Sequence, residues 1–361
     1  MKLFAIHPGA STSTSDVYNG LVRALVRAEH KVIPFRLDTR IFQAGSWLKW
    51  CHKNAVKSGM DVDKPSQADV LYYACGDAVV RALHHECEWL VVVSGMYFPK
   101  FFFKIAKRAG LKIAMVMTES PYDDEAQLGI AALSDIVFTH ERSSVPVLKH
   151  ANPNTFYMAH AYDVDIHSLK SQVHEEVNSH DVLFVGTGFQ ERIDILNAID
   201  WSGIDFGLYG SWTLVGGRSR LRKHIKANEI ENELAASLYQ KAKIGLNLYR
   251  TSKGFGRYTE KIKRAESANL RAYELAACGL FHISGWRPEV EEIFGDLVPT
   301  YEDPKQLEEL IREYLDKPAE RERIALQLPE AVKGHTWDER SGLLVERILA
   351  FDNQRARLRV S

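Results

Sequence analysis

Short apolar runs, many of them β-branched or aromatic, alternate along the chain with longer segments of helical periodicity. This alternation is typical of parallel strands that are buried on both faces and joined by crossover helices. In the first half it predicts strands at residues 3–6, 32–35, 70–74, 90–93, 113–117, 136–139 and 156–159. In the second half it predicts strands at residues 182–185, 206–209, 244–248, 281–284 and 297–301. The fold class is therefore expected to be α/β, with two Rossmann-like, doubly wound parallel sheets.

The length and a polar stretch suggest where the chain divides. A chain of 361 residues corresponds to about two domains. Residues 161–180 are polar and have no strand pattern, so we expect a linker there. The predicted parts are a first domain over 1–163, a linker over 164–180, a second domain over 181–335, and a C-terminal helix over 336–361 that can cross back to the first domain. Helices are predicted at 304–315, 320–328 and 337–350, the last with Thr336 as its N-cap.

Composition and charge exclude several classes of protein. With 45% hydrophobic and 26% charged residues the chain is globular in type, and a net charge of −1 removes the overall positive field of a non-specific nucleic-acid or membrane binder. The four cysteines are widely spaced and form no C-x-x-C pair, and no apolar stretch reaches the length of a membrane span. These features favour a cytoplasmic protein without disulfide bonds or membrane spans.

A glycine-containing turn follows the first predicted strand of the second half. Gly186-Thr187-Gly188 leads towards Arg192 and a helical segment. A Gly-x-Gly turn lets the backbone approach a phosphate, and a helix N-terminus favours an anion. Glu191 replaces the third glycine of the dinucleotide fingerprint, which disfavours a dehydrogenase. A tight strand-to-helix turn without a ligand is the alternative explanation of this motif.

A second motif places two carboxylates around the start of a helix. Ser267 or Asn269 can cap this helix and Gly279 can end it, with Glu266 just before it and Glu274 inside it. A carboxylate can accept hydrogen bonds from two sugar hydroxyls, and the helix N-terminus presents N–H groups to a pyrophosphate. The alternatives are a solvated carboxylate at Glu274, and ion pairs of Arg192 with Glu191 and of Arg271 with Glu266.

The same segments carry a resemblance to a known family. The spacing of Glu266 and Glu274 is similar to that of the paired glutamates in retaining glycosyltransferases of the glycogen-synthase-like superfamily. More closely, the chain resembles the spore maturation protein CgeB-like glycosyltransferases. The segments that carry this resemblance are 118–122, 137–139, 160–163, 269–274, 285–289, 291–294 and 335–340.

The resemblance implies a GT-B fold, in which two Rossmann-like domains face each other across a cleft. The first domain would bind the acceptor and the second a nucleoside diphosphate sugar, with no metal and no other cofactor. Glu274 would bind the donor ribose, Glu266 the transferred sugar, and Arg192 a phosphate. Asn269 and Arg271 would lie beside the pyrophosphate. The loop of Tyr209, Gly210, Ser211 and Trp212 is the candidate base-binding loop.

Four residues in the first domain and at its end are further candidates. Glu119 places a charge at the end of an apolar strand, where a general base, a ligand of the acceptor hydroxyl or a capping carboxylate is expected. His160 is a candidate catalytic residue that can bind the donor sugar or satisfy backbone carbonyls. Gly9 and Ser11 belong either to a loop that closes on the acceptor or to a simple turn.

Metal and nucleic-acid sites are weaker predictions. Asp61 and Asp63, and likewise Asp163 and Asp165, match an Asp-x-Asp pattern that is common by chance, so metal use is disfavoured. Basic residues cluster at Arg218, Arg220, Arg222, Lys223, Lys226, Arg250, Lys253, Arg257, Lys261, Lys263 and Arg264. They are expected to be solvated insertions; the alternative is an anionic acceptor such as a modified DNA base, contacted by Tyr249, Phe255 and Tyr258.

The sequence thus predicts a glycosyltransferase that uses a nucleoside diphosphate sugar, with uridine diphosphate (UDP) favoured as the nucleotide. Retention of configuration is expected from the paired glutamates, with the leaving phosphate accepting the acceptor's proton. The partners are the nucleotide-sugar and an acceptor that is a glycan, a protein or a modified nucleobase. A transferase that acts on DNA bases, a nucleotide-sugar epimerase and a non-catalytic nucleotide-sugar-binding protein remain the alternatives.

Overall fold

A computed structural model describes residues 1–9, 13–171, 173–174, 176–228, 230–253, 260–262 and 264–360. The chain forms two compact units. The first spans residues 1–140 and 144–158 and the C-terminal residues from Arg340 on, and the second spans residues 141–143 and 159–339. Residues 164–180, predicted as a linker, contain no described helix or strand and belong to the second unit.

The first unit is built on a six-stranded parallel sheet. Its strands are β1 (Lys2–Ile6), β2 (Lys31–Phe35), β3 (Trp89–Val93), β4 (Lys112–Met117), β5 (Ile136–Thr139) and β6 (Thr155–Tyr157). The strand order is β2-β1-β3-β4-β5-β6. Its helices are α1 (Ser13–Arg27), α2 (Leu37–Lys57), α3 (Gln67–His84), α4 (Lys100–Arg108), α5 (Asp124–Ala131) and α6 (Val145–Lys149).

The second unit repeats this architecture. Its strands are β7 (Val182–Val185), β8 (Phe206–Tyr209), β9 (Ile225–Ala227), β10 (Ile244–Asn247), β11 (His282–Gly285) and β12 (Thr300–Tyr301), in the order β12-β11-β10-β7-β8-β9. Its helices are α7 (Gln190–Ala198), α8 (Asn232–Lys241), α9 (Leu270–Ala277), α10 (Pro288–Phe294), α11 (Pro304–Leu315), α12 (Pro318–Ala325) and α13 (Leu328–Ala331). Short 3-10 helices lie at Arg142–Ser144, Arg220–His224 and Gly295–Leu297. Two parallel sheets in an α/β chain confirm the predicted fold class.

The last helix, α14 (Trp337–Val360), starts in the second unit and continues in the first. The Thr336 hydroxyl accepts the Glu339 N–H at 3.2 Å, so the predicted N-cap is confirmed. Further along α14, Asp352 accepts hydrogen bonds from Trp89 Nε1 at 3.0 Å and from Lys112 Nζ at 2.6 Å. These contacts tie α14 to β3 and β4 within the first unit.

The structure corrects several predicted elements. Residues 70–74, predicted as a strand, lie in α3, which begins with a capping box between Ser66 and Asp69. A short apolar run has no periodicity that separates a strand from a helix, and the cap decides in favour of the helix. Strand β9 was not predicted because its three residues lie among basic side chains at the sheet edge. The predicted strand at 297–301 is reduced to β12, because a 3-10 helix occupies Gly295–Leu297.

A buried histidine in β11 makes the stability of the second unit depend on pH. His282 is fully buried, with Nδ1 3.1 Å from the Leu280 carbonyl oxygen. Burial lowers its pKa from 6.5 to about 4, because the charged ring would lose its hydration. The unfolded chain therefore binds a proton here below pH 6.5, whereas the native chain does so only near pH 4. Stability must fall as the pH falls through this window.

The wild type should lose stability between pH 7 and pH 5 that the variant His282→Asn does not lose. We expect the difference in free energy of unfolding between the two proteins to change by about 2 kcal/mol over this interval, to the disadvantage of the wild type. The asparagine does not titrate and can still donate to the Leu280 carbonyl. Urea unfolding of both proteins at the two pH values measures the difference. Equal differences at both pH values would show that His282 does not titrate as its burial requires.

Candidate functional site

The loops that follow β7 and β8 are joined by backbone hydrogen bonds at the carboxyl edge of the second sheet. The N–H of Gly186 donates to the Tyr209 carbonyl at 2.9 Å, and the N–H of Gly188 donates to the Ser211 carbonyl at 2.7 Å. A Cβ at Gly188 would overlap the Trp212 ring, and a Cβ at Gly210, where φ is +102°, would overlap the Gly186 carbonyl. Only glycine fits these close approaches, so the two predicted motifs form one rigid wall.

The aromatic side chains of the predicted base-binding loop face the core. Trp212 is buried, donates from Nε1 to the Tyr209 carbonyl at 3.2 Å and packs edge-on against Phe184. The Tyr209 hydroxyl lies 2.9 Å from Nε2 of His180. Gly210 and Ser211 are the half-exposed residues of this loop. A base would therefore meet mainly the backbone of the loop.

Two guanidinium groups lie at the start of α7, directly after the glycine turn. Arg192 donates from Nη1 to the Thr187 carbonyl at 2.8 Å, and its guanidinium carbon is 5.1 Å from the centre of the Phe189 ring. The guanidinium carbon of Arg250, from the loop after β10, is 5.0 Å from the same ring. Both cations therefore lie beside the Phe189 ring, at the N-terminus of α7, where the helix dipole is positive. This arrangement is suited to a phosphate group.

Glu191 holds the loop after β10 against α7. Its Oε1 accepts hydrogen bonds from the backbone N–H groups of Thr251 and Ser252, at 2.8 and 3.2 Å, and from the Ser252 hydroxyl at 2.9 Å. From the sequence, Glu191 is expected only to break the dinucleotide fingerprint or to pair with Arg192. In the structure it positions the segment that carries Arg250.

The start of α9 is held by side chains from distant parts of the chain. Asn269 caps the helix by accepting the Ala272 N–H at 3.2 Å, which confirms one of the two predicted caps. The buried carboxylate of Glu141 accepts the N–H groups of Glu266 and Ser267, at 3.1 and 3.2 Å. Buried Glu289 accepts the Ala268 N–H at 2.6 Å. The segment before α9 therefore already has carboxylate partners, and an anion would have to bind at the first turn of the helix.

Glu266 forms an ion pair that the sequence did not reveal. Its carboxylate accepts from Nε of Arg142 at 2.9 Å, and its side chain is 45% exposed. Arg142 also binds both carboxylate oxygens of Glu292, at 2.6 and 2.8 Å. Hydrogen bonds to the two carboxylates raise the pKa of Arg142. The predicted alternative for Glu266 was an ion pair with Arg271, whereas the partner seen here is Arg142, a residue distant in sequence.

Glu274 is deeply buried inside the second unit, with a side chain only 2% exposed. Its Oε1 is 3.6 Å from His167 Nε2, and its Oε2 is 3.9 Å from Arg271 Nη1. Arg271 also donates to the Tyr239 hydroxyl. Burial raises the pKa of Glu274; the charge of Arg271 opposes this shift and that of Asp163 adds to it. The solvated alternative for Glu274 is therefore wrong, because the structure surrounds this carboxylate with protein.

The aspartate pairs lie in different settings. Asp61 and Asp63 are exposed between α2 and α3, whereas Asp163 is buried and accepts the Asp165 N–H at 3.1 Å. Over the ranges that the structure describes, no group of three or more His, Cys, Asp or Glu side chains is arranged to hold a metal ion. The same part of the chain contains no helix that is long and apolar enough to cross a membrane.

The remaining predicted site residues belong to other segments of the chain. Glu119 is half-buried in the turn after β4, where its N–H donates to Gln127 Oε1 at 3.4 Å. Gly9, with φ of +92°, donates its N–H to Nδ1 of His7 at 3.1 Å. Ser11 lies outside the described residues. His160 is half-buried and belongs to the second unit, unlike Glu119.

The basic clusters are only partly described. Arg218, Arg220, Arg222, Lys223 and Lys226 lie in and around the 3-10 helix Arg220–His224 and strand β9. Arg257, Lys263, Phe255 and Tyr258 lie outside the described residues. Tyr249 is buried beneath the guanidinium of Arg287, and its hydroxyl accepts from Asn247 at 3.1 Å. Burial raises the pKa of Tyr249 to about 12. The alternative in which Tyr249 contacts an anionic acceptor such as a modified DNA base is therefore not compatible with this structure.

Comparison with known proteins agrees with this architecture. Residues 192–349 match a sequence family described as glycosyl transferase-like. Sucrose-phosphate synthase from Thermosynechococcus elongatus is similar over 97% of this chain and 99% of its own, with 13% identity and a TM-score of 0.64. HepE from Anabaena, solved with UDP-glucose, is similar over 97% and 100%, with 12% identity and a TM-score of 0.63. No curated protein matches the chain significantly in sequence.

A third similar structure is an α-glucosyltransferase solved with UDP-glucose and DNA containing an abasic site. The likeness covers 95% of this chain and 98% of that one, with 11% identity and a TM-score of 0.58. Likenesses at this level of identity establish the fold. The chain has the GT-B fold that these proteins share, and both of its units take part in it.

Proposed function

We propose that this protein is a glycosyltransferase that moves a sugar from a UDP-sugar to an acceptor hydroxyl, with retention of configuration and without a metal ion. The observation that carries the proposal is the pair of guanidinium groups, Arg192 and Arg250, beside the glycine turn and the N-terminus of α7. The match of residues 192–349 to a glycosyl transferase-like family supports it. Complexes with UDP-glucose among proteins of the same fold support the choice of nucleotide.

In this proposal the leaving diphosphate binds to Arg192 and Arg250. Developing negative charge on the leaving oxygen is stabilised by cations that are already in place, which lowers the barrier to cleavage of the sugar–phosphate bond. The phosphate oxygen can accept the acceptor's proton on the face from which it leaves, so no protein base is needed on the opposite face. The same cations take the place of a divalent metal, and excess chelator should leave the rate unchanged.

The other predicted residues take roles that follow from their chemistry. Glu274 would bind the ribose, and Glu266 would bind hydroxyls of the transferred sugar, with Arg142 fixing its orientation. His160 would bind the donor sugar, and Glu119 in the first unit would bind the acceptor. The narrower resemblance to CgeB-like glycosyltransferases remains part of this proposal.

Product analysis tests the proposal. The protein is incubated with UDP-glucose and with panels of glycan, peptide and DNA acceptors, and the products are separated by mass. Transfer to an acceptor supports the proposal, a changed sugar on intact UDP would identify an epimerase, and binding without turnover would identify a non-catalytic protein. UDP-sugars should also raise the melting temperature, since ligand at one hundred times its Kd stabilises by about 2.7 kcal/mol.

Transfer to a base in DNA is the second candidate function. The α-glucosyltransferase of the same fold was solved with DNA, and in this chain four basic residues precede β9 and a fifth, Lys226, lies in it. A DNA acceptor would be expected to bind less tightly as salt is raised. Transfer to duplexes containing 5-hydroxymethyl pyrimidines, compared with unmodified duplexes, decides between this acceptor and a glycan.

A substitution at Glu119 tests the stereochemical part of the proposal. In a retaining enzyme this carboxylate only positions the acceptor, so Glu119→Gln should lower kcat by about tenfold or less. In an inverting enzyme it would take the acceptor's proton, and the loss would be on the order of 10²–10⁴. NMR coupling of the anomeric proton in the fresh product gives the configuration independently. An inverted product would withdraw the mechanistic role given to Glu266.

A further inference from the structure

Helix α2 exposes large apolar side chains over most of its length. Of its 21 residues only Leu37 and Ala44 are buried. Phe42, Trp47 and Trp50 are 77%, 48% and 57% exposed, and the two tryptophan rings stack with centroids 5.0 Å apart. Such a concentration of exposed aromatic rings is rare on a protein surface that contacts only water.

The exposed apolar surface continues onto the neighbouring helices. Trp47 of α2 and Tyr73 of α3 line the same pocket of about 400 Å³. Tyr72 of α3 contacts Phe101 of α4, with ring centroids 5.1 Å apart. Both tyrosines and Phe101 are exposed. The outward sides of α2, α3 and α4 thus form one surface, which we call the basic aromatic face.

Positive charge is interleaved with these rings. Helix α2 carries Arg40, Lys49, Lys53 and Lys57, and helix α4 carries Lys100, Lys104, Lys107 and Arg108. Helix α4 contains no acidic residue, and no acidic residue occurs between Thr39 and Met60. On α3, Asp77 forms ion pairs with Arg40 and Arg81, at 3.1 and 2.8 Å. The basic aromatic face therefore has a clear excess of positive charge, although the whole chain is nearly neutral.

The composition of this face selects among possible partners. A second copy of the same face would bring its cations against like charges. A single-stranded nucleic acid would use the rings and cations, but it would gain nothing from the exposed aliphatic side chains of Val56, Val80 and Ile105. A lipid bilayer uses all three kinds of group: aromatic rings lie at the headgroup level, aliphatic side chains enter the acyl boundary, and lysines bind anionic headgroups.

We propose that the basic aromatic face docks the protein on the surface of an anionic lipid bilayer. The face lies entirely within the first unit and contains none of the residues assigned to the donor site. The inference therefore stands independently of the proposed transferase activity. It places the protein on a membrane surface without requiring any segment to cross it.

Co-sedimentation of the full chain with vesicles tests the proposal. Binding is expected to vesicles of equimolar phosphatidylcholine and phosphatidylglycerol, weak binding to phosphatidylcholine alone, and less binding at high salt. Lys49→Glu/Lys53→Glu should lower the partition coefficient at least about tenfold. Trp47→Ala/Trp50→Ala should also reduce binding, because two interfacial rings are lost.

Matched controls come from the second unit. Lys305→Glu/Lys333→Glu reverses the charge at two lysines whose side chains are 88% and 74% exposed. This variant should have the partition coefficient of the wild type. Melting temperatures check that all variants are folded. Absence of binding to anionic vesicles, or equal binding by the α2 variants and the control, overturns the proposal. Binding to a single-stranded oligonucleotide that is lost in the α2 variants, without vesicle binding, would also overturn it by identifying a nucleic-acid surface.

Discussion

Arg192→Ala should weaken the binding of UDP by on the order of 2 kcal/mol, which is about thirtyfold in Kd. The guanidinium is held by the Thr187 carbonyl and lies against Phe184 and Phe189, with centroid distances of 5.4 and 5.1 Å. A cation fixed in this way loses little conformational entropy when a phosphate binds. Its removal also leaves Arg250 as the remaining member of the pair beside Phe189.

Isothermal titration calorimetry with UDP measures this loss. Arg312→Ala is the matched control, because Arg312 is a partly exposed arginine of the same unit that pairs with Glu308 at 2.9 Å, and its removal should leave Kd unchanged. The Kd of Arg192→Lys for UDP should lie between those of the wild type and Arg192→Ala, since lysine keeps the charge but lacks the planar guanidinium. A folded Arg192→Ala protein with the affinity of the wild type would exclude Arg192 as a phosphate ligand.

The parallel strands were predictable because a strand that is buried on both faces consists almost entirely of apolar residues. All residues of β3 and of β7 are buried, and each strand is a continuous apolar run. The prediction failed where this relation does not hold. Residues 70–74 are an apolar run inside a helix, and β9 is a three-residue edge strand with an exposed lysine. Neither case can be recognised from hydrophobic periodicity alone.

Local motifs of the candidate site were predictable, but the distant residues that hold these motifs in place were not. The Asn269 cap and the glycine turn depend on residues adjacent in sequence, so their chemistry is visible in the printed chain. The partners of the segment before α9, Glu141 and Arg142, are more than a hundred residues away from it in sequence. Long-range hydrogen bonds of this kind leave no periodic signal, and only the fold brings the partners together.

Glu274 shows that a residue predicted to bind ligand can also have a structural role. Burial of a charged carboxylate with 2% exposure destabilises the fold, because the carboxylate loses its hydration, unless charged or polar groups surround it. Arg271 and His167 provide these groups, and Asp163 lies close enough to raise its pKa further. The sequence motif made this position a candidate ligand of the ribose, but it gave no sign that the carboxylate is enclosed by protein.

Glu274→Ala should lower the free energy of unfolding by about 1–3 kcal/mol, because the partly buried Arg271 and the buried His167 lose their carboxylate neighbour. The same change should weaken UDP binding by on the order of 1–3 kcal/mol if the carboxylate binds the ribose. Urea unfolding measures the first effect and calorimetry the second. A loss of stability alone would leave Glu274 with a purely structural role.

A thermodynamic cycle separates the two roles, because a structural change affects all nucleotides alike whereas a ribose contact does not. Wild type and Glu274→Gln, which keeps the side-chain volume, are each titrated with UDP and with 2′,3′-dideoxy-UDP under conditions where both proteins are folded. We expect removal of the two hydroxyls to cost the wild type more affinity than the variant, because the neutral amide oxygen of glutamine accepts a hydrogen bond more weakly than a carboxylate does, giving a coupling energy of about 1 kcal/mol. A coupling energy near zero would mean that the ribose hydroxyls do not contact Glu274, and the ribose site would then have to be sought elsewhere along the carboxyl edge of the second sheet.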